Sequence, residues 1–179
     1  MATVANLGQA FYDSLVYFLR NATALDSDFA DRFYIVHPTL NLSLLTLPFV
    51  LLNPYRDDDE VDVQPDYTGY ESRWMTYHFT IQVYCTTYAK ERELPELVKR
   101  TILSAEVGDE MGFQVYSGID SDGAPDAGTE LVVADPELAE IYHVGSDDEE
   151  DKIRKFFSVI EGSWQILRDR TKKFVSTDS

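Results

Sequence analysis

From Trp74 to Thr86 the chain alternates without a break. Met75, Tyr77, Phe79, Ile81, Val83 and Cys85 fall on one side, and Trp74, Thr76, His78, Thr80, Gln82, Tyr84 and Thr86 on the other. A period of two carried by aromatic and β-branched residues specifies a strand. Its apolar side requires a core, and its polar side requires water or a partner. Read from Ser72 to Tyr88 at about 3.3 Å per residue, the strand spans ~50 Å, roughly twice the usual length. A lone small domain rarely needs that. Strands this long often project from one subunit and pair within a neighbour's surface. The polar side, Trp74, Thr76, His78, Thr80, Gln82 and Tyr84, is therefore the candidate oligomer interface.

The flanking sequence supplies the elements that would cover this strand. Val4, Leu7, Phe11, Leu15 and Phe18 recur at spacings of three or four, one apolar helical stripe over residues 4–20 with Ala10 and Ser14 beside it. Asn21–Asp31 is polar and reads as a loop, and Phe33–His37 as a short strand stopped by Pro38. Leu40, Leu42 and Leu44 alternate with polar residues; Leu45, Leu47, Phe49 and Leu51 continue in the opposite phase. Slipping by one residue exchanges the faces of a strand, so a bulge or a turn separates Leu44 from Leu45. Pro48 favours an edge or a strand start. The stretch from Asn53 to Tyr70 reads as an exposed loop or hairpin tip, with Asp57, Asp58, Asp59 and Glu60 as its acidic contacts.

Glu91–Glu106 reads as a second amphipathic helix. Pro95 suits its first turn, Leu94, Leu97, Val98, Ile102 and Ala105 form its buried stripe, and Gly108 follows as a terminator. Phe113–Ser117 and Leu131–Ala134 are short strands, Asp120–Gly128 an acidic turn, and Ser146–Asp151 a solvated charge run. Ile153–Arg168 is either a hairpin turning at Glu161-Gly162 or one strand bulged at Gly162. The expected architecture is α+β: a mainly antiparallel sheet with one long strand, packed against two amphipathic helices. It forms one domain over residues 1–170, with a flexible C-terminal tail over 171–179.

The 179 residues, 44% of them hydrophobic, suffice for one core and are short for two. Leu40–Leu52, the longest apolar stretch, is interrupted by Asn41, Ser43, Thr46 and Pro48 and falls short of the ~20 residues of a membrane span. Met1–Gly8 lacks the basic-then-apolar pattern of a secretory signal. A single cysteine, Cys85, excludes an internal disulfide and fits a reducing compartment. Asp plus Glu number 32 against 15 Lys plus Arg, a net charge of −17. Such a chain repels nucleic acid backbones, which argues against a sequence-reading DNA binder. Two readings of the acidity stay open: ordinary solubility, or adaptation to molar salt, where counter-ions screen self-repulsion. The scattering of 19 Asp and the scarcity of lysine favour the second.

Candidate chemistry fails on spacing. Asp120-Ser-Asp122-Gly123 looks like part of a calcium loop, yet aligning Gly123 with the invariant glycine puts Gly118 and Thr129 where carboxylates belong. An exposed turn is the default there, and weak cation binding by Asp120, Asp122 and Asp126 the alternative. His37, His78 and His143 lack the spacing of a helical metal pair. Cys85, in phase with Val83 and Ile81, reads as a buried structural thiol. Phosphate-binding loops, dinucleotide fingerprints and serine nucleophile elbows are absent from the sequence. No catalytic, cofactor or metal site is expected, and the chain reads as a structural subunit without enzyme activity.

The succession of an amphipathic helix Val4–Leu19, a strand Phe49–Tyr55, the block Trp74–Tyr88 followed by Leu94–Ala105, and a closing Phe156–Leu167 resembles the tail-terminator proteins of tailed viruses, which cap the tail tube and join it to the head. The resemblance is one of element order and carries no diagnostic motif. It implies a homo-oligomeric ring, typically of six subunits, in the neck of a virion assembled in the host cytoplasm. The implied partners are the tail tube and head–tail adaptor proteins, with DNA passing an acidic lumen without specific binding and no membrane involved. A haloarchaeal virus would account for the acidity, which departs from many members of the family. Three alternatives remain: an adaptor or stopper ring of the same neck, a halophilic cytoplasmic enzyme or ligand-binding domain, and a monomeric regulatory interaction domain.

Overall fold

The computed structural model describes residues 7–54, 62–65, 71–119, 123–145 and 152–169. At its centre lies β4, Glu71–Tyr84, fourteen residues long, or ~46 Å at about 3.3 Å per residue. Strand β10, Phe157–Asp169, pairs antiparallel with it from Phe157↔Tyr84 to Asp169↔Ser72. On the other side of β4, β2 (Phe49–Pro54) takes the Phe79–Tyr84 half and β3 (Asp62–Pro65) the Glu71–Trp74 end. Strand β1, Phe33–Ile35, runs parallel to β2, and β9, Glu137–Val144, closes the order β1-β2-β4-β10-β9. The sheet is thus mainly antiparallel, as the alternation predicts.

The long strand ends four residues before the expected Tyr88. Thr87 Oγ1 accepts a hydrogen bond from the Lys90 N–H at 3.3 Å and caps α3, Tyr88–Leu103. That helix begins three residues earlier than the sequence suggests. Pro95 consequently stands inside it rather than in its first turn. The stripe is nearly as expected, with Leu94, Val98 and Ile102 buried and Leu97 packed against the core. Beyond it, β5 (Glu106–Val107) and β6 (Glu110–Met111) form a small ribbon with Gly108 in its turn at φ 62°.

The leucine-rich stretch is extended only from Phe49 onward. Parallel neighbours such as β1 and β2 need a crossover of about a dozen residues, and residues 36–48 supply it. The phase slip resolves as a turn: Leu42–Leu44 is a short 3₁₀ helix, with Asn41 Oδ1 accepting from Ser43 N at 3.0 Å. Leu40, Leu42, Leu45 and Leu47 pack, with Ile153, over Phe49, Leu51 and Tyr84 on the outer sheet face. Leu44 stays exposed. A second, smaller core thus covers the end of the sheet that the crossover passes.

The main core lies on the inner face. Helix α1, Leu7–Asn21, buries Leu7, Phe11, Leu15 and Leu19 there; Val4 lies outside the described residues. A further helix, α2 (Thr23–Phe29), occupies part of the segment read as loop. Only Leu25 and Phe29 are apolar enough to anchor it, both fully buried one turn apart, too few to register as a period. The ribbon of β7 (Phe113–Tyr116) and β8 (Glu130–Ala134) packs on α1, where Ser14 Oγ accepts from Tyr116 N at 2.9 Å and Phe18 stacks on Phe113.

Strand β10 is one strand, so of the two readings of Ile153–Arg168 the single strand holds and the hairpin does not, while the expected bulge at Gly162 falls on its neighbour β9. Between Ile160↔Ile141 and Gly162↔Leu138, one residue of β10, Glu161, faces two of β9, Ala139 and Glu140. That extra residue shifts the phase of β9, and the sequence Glu137–Val144 shows no clean alternation for the same reason. Against β4, Gly162 stays in register opposite Phe79. A Cβ on Gly162 would run into the Phe79 ring and crowd Leu138. Gly162→Ala is therefore expected to destabilise the fold by about 1–3 kcal/mol, read as a lower urea midpoint. Adding Phe79→Leu should make the two losses less than additive. Unchanged stability in Gly162→Ala would contradict the close contact.

Candidate assembly surface

The register places the expected interface residues in one row on the outer face of the sheet. Thr76 stands opposite Gln165, His78 opposite Ser163, Thr80 between Asn53 and Glu161, Gln82 between Leu51 and Val159, and Tyr84 between Phe49 and Phe157. Trp74 continues the row between Asp62 and Leu167. The row is not uniformly open. Tyr84 is buried in the small core, stacked 4.6 Å from Phe49 and 5.1 Å from Phe157, and its hydroxyl donates to Gln82 Oε1 at 2.9 Å. Thr80 is buried too, and its Oγ1 has no hydrogen-bond partner among the described residues. Thr76, His78 and Gln82 are half-buried, beside exposed Glu161 and Gln165. Asp57, Asp58, Asp59 and Glu60 lie outside the described residues.

The histidines go to three different settings. His37 Nδ1 meets Thr39 Oγ1 at 2.8 Å in the exposed start of the crossover. His78 is tied through its backbone, its carbonyl accepting from the Tyr12 hydroxyl at 3.0 Å. His143 belongs to a cluster that the sequence does not announce. Its Nδ1 lies 2.9 Å from Ser158 Oγ and 3.8 Å from Glu91 Oε1, and Ser158 Oγ lies 3.5 Å from the same carboxylate. The three residues come from β9, β10 and α3, and nothing in their spacing could have joined them. Their types suggest acyl transfer, but the geometry does not fit it. In a working triad the serine and the acid engage opposite ring nitrogens, whereas here both crowd Nδ1. Ser158 is also fully buried, so no substrate carbonyl reaches its Oγ. The cluster links the buried Glu91 in the first turn of α3 to the sheet.

Asp126 sits in a tight turn, its N–H donating to Gly118 O at 3.0 Å and its carbonyl accepting from Thr129 Oγ1 at 2.7 Å; Asp120 and Asp122 lie outside the described residues. Among the described residues no three of His, Cys, Asp and Glu are grouped to hold a metal ion, and no helix is long and apolar enough to cross a membrane.

Cys85 is fully buried, in phase with Val83 as expected, and its backbone N–H donates to Phe156 O at 2.8 Å. Burial, reinforced by the charge of Glu91 and opposed by Lys90, pushes its thiol up to about 12.

No family model and no curated protein sequence matches the chain. Among solved structures, a chain from the virion of a native gene transfer agent particle shares its fold. The TM-score is 0.50 and the identity 12%, over 92% of this chain and 98% of that one. At this identity the likeness is one of fold, and it runs through nearly the full length of both chains.

The Cys85 setting gives a direct test. With a pKa near 12, only on the order of one thiol in ten thousand is ionised at pH 8. A disulfide exchange reagent should therefore leave the native protein unlabelled and label it fully in guanidinium. Burial likewise pushes the Tyr12 hydroxyl up to about 12. Both groups keep their protons longer in the folded chain, so their contribution to stability should be constant from neutral pH to about pH 9 and be lost as pH climbs toward 12. Fast native labelling, or a midpoint indifferent to that climb, would contradict these burials.

Proposed function

We propose that the chain is a structural virion protein without enzymatic activity, acting in the neck or tail of a tailed virus. In this reading it caps the tail tube as a homo-oligomeric ring of six subunits and joins the tube to the head, as a tail terminator does. The observation that carries the reading is the long β4–β10 pair, whose outer row includes polar positions that the chain's own cores leave uncovered from Thr76 to Gln82, apart from Thr80. The fold likeness to a chain of a gene transfer agent virion supports the virion class. Terminator and adaptor or stopper rings of the same neck are not distinguished by it; the element order of the sequence favours the terminator. The half-buried Thr76, His78 and Gln82 are then interface positions, with Trp74 and the acidic run Asp57, Asp58, Asp59 and Glu60 kept from the set named from the sequence, whereas Thr80 and Tyr84 are closed over within the chain itself.

A net charge of −17 on a ring that DNA traverses favours passage without adhesion. It also fits a haloarchaeal host. Raising KCl from about 0.1 M to about 1 M shortens the screening length from about 10 to about 3 Å. The melting temperature should accordingly climb with salt well into the molar range; a flat or falling curve argues against a halophilic origin.

Light scattering in molar KCl should give a single species at six times the monomer mass. That species should co-sediment with tail tubes purified from the parent particle. A protein that stays monomeric and never binds tubes ends the ring reading. Cryo-EM of the particle distinguishes a position against the tube from one against the head.

A further inference from the structure

The long strand pair is not paired along its whole length. Strand β9 accompanies β10 only as far as Glu137↔Ser163, whereas β4 follows it to Asp169↔Ser72. Residues Trp164–Asp169 therefore run on for ~20 Å at about 3.3 Å per residue. No strand among the described residues pairs with their far side. The root of this overhang is fixed, since Trp164 stacks 4.7 Å from Phe11 and 5.7 Å from Tyr77. A held strand with one unpaired side is a template for an added strand.

Hydrogen-bond parity identifies the open groups. In an antiparallel ladder, successive residues turn their N–H and C=O groups to opposite sides. Cys85 N donates to Phe156 O at 2.8 Å, so the odd-numbered residues of β4 turn toward β10 and the even-numbered ones away. His78 agrees, its carbonyl being taken by the Tyr12 hydroxyl from α1. Carried along the register, the same parity turns Gln165, Leu167 and Asp169 away from β4. They leave three donors and three acceptors on the open side of β10.

The other flank of this arm is β3. Asp62 and Gln64 stand opposite the even-numbered Trp74 and Ser72 and use their backbone groups on β4. Val63 and Pro65 therefore turn outward. Pro65 fits there, because a proline is tolerated where its missing N–H lies outside the ladder. Strands β3 and β10 flank β4 about 10 Å apart, so β3 cannot reach the open edge of its own chain. Charge matches the two edges across copies. Residues 57–66 hold six carboxylates and no cation, whereas Arg168, Arg170, Lys172 and Lys173 stand within six residues at the end of β10. The register also sets Arg168 opposite Arg73. A second β10 edge would bring further cations to that end; β3 brings acid.

We propose that β3 of one copy adds as a strand to the open edge of β10 of the next, with its Val63 beside Ile166 and its Asp62 beside Gln165. The inference deepens the ring reading above and rests on it. Both strands run antiparallel to β4, so a rotation that preserves strand direction makes the junction parallel. The two edges differ, so the contact is heterologous: every copy offers one edge and receives one, and the arrangement closes into a ring where the rotation permits. Residues 170–179, outside the described residues, are the rival occupant of the β10 edge, and the test separates them.

Gln165→Pro and Leu167→Pro each remove an outward donor and leave the β4 ladder its bonds. Each should raise the protein concentration needed for assembly by about tenfold or more, with an unchanged thermal melt by circular dichroism. Gln165→Ala should assemble as the parent chain does. A chain carrying Asp62→Cys and Gln165→Cys should give covalent ladders beyond the dimer on mild oxidation. Within one chain the two positions are too far apart for a disulfide, and Cys85 is buried. Should a proline lower the melt, the cysteine chain decides alone. Absence of a ladder overturns β3 as the occupant and leaves the edge to residues 170–179. Covalent dimers from Gln165→Cys alone overturn it too, because β10 edges then meet each other. Proline variants that melt and assemble normally overturn strand addition. Each of these results leaves a ring standing where light scattering still gives six subunits. A chain monomeric at every concentration and salt overturns the ring reading itself.

Discussion

The ring of Phe11 is where the parts of this fold meet. It stacks 4.7 Å from Trp164 of β10 at an interplanar angle of 12°, and lies 5.5 Å from Phe79 of β4 and 5.6 Å from Phe113 of β7. One side chain of α1 therefore joins the long strand pair to the separate ribbon. Burying a phenylalanine contributes about 1.5–3 kcal/mol, and well-placed aromatic pairs add about 0.5–1.5 each. Against a net stability of about 5–15 kcal/mol, this contact set is a large share. It also dictates a glycine at 162: with Phe79 and Trp164 both on the inner face, only a residue without a side chain between Ile160 and Trp164 leaves room for the Phe79 ring.

The same cluster explains what was legible in the sequence. The inner face of β4 could be read because Tyr77, Phe79, Ile81, Val83 and Cys85 meet one continuous core, so their period is unbroken. The stripe of α1 was legible for the same reason. Leu40–Leu47 misled because its leucines serve a crossover, where packing on a sheet face needs apolar residues but no fixed period. Strand β9 was hidden by its bulge, and α2 by having just one turn of apolar contact. Among candidate sites, the buried thiol could be inferred from phase alone. The His143–Ser158–Glu91 cluster could not, since it draws on three elements brought together only by the sheet and α3.

The outer row of β4 shows how far alternation reaches as a functional argument. Alternation assigns residues to a face; it does not say what covers that face. Here the chain's own crossover covers Tyr84, Thr80 is closed over, and the remainder is half-open. The candidate interface thus narrows from a whole strand face to its middle, next to a small outer core.

Edges decide the rest. A sheet that offered long open edges would assemble by strand addition. In this sheet the short β1 is tied down by Arg20, whose Nη2 donates to Phe33 O at 2.6 Å. Strand β9 is bulged, carries exposed Glu137 and Glu140, and has its Ala139 carbonyl taken by Lys99 Nζ at 2.8 Å. Bulges, charges and occupied carbonyls are the devices by which edge strands avoid indiscriminate pairing. With β1 and β9 protected in this way, indiscriminate strand addition is disfavoured at both ends of the order β1-β2-β4-β10-β9, so a partner strand has to be sought where β10 runs on past β9.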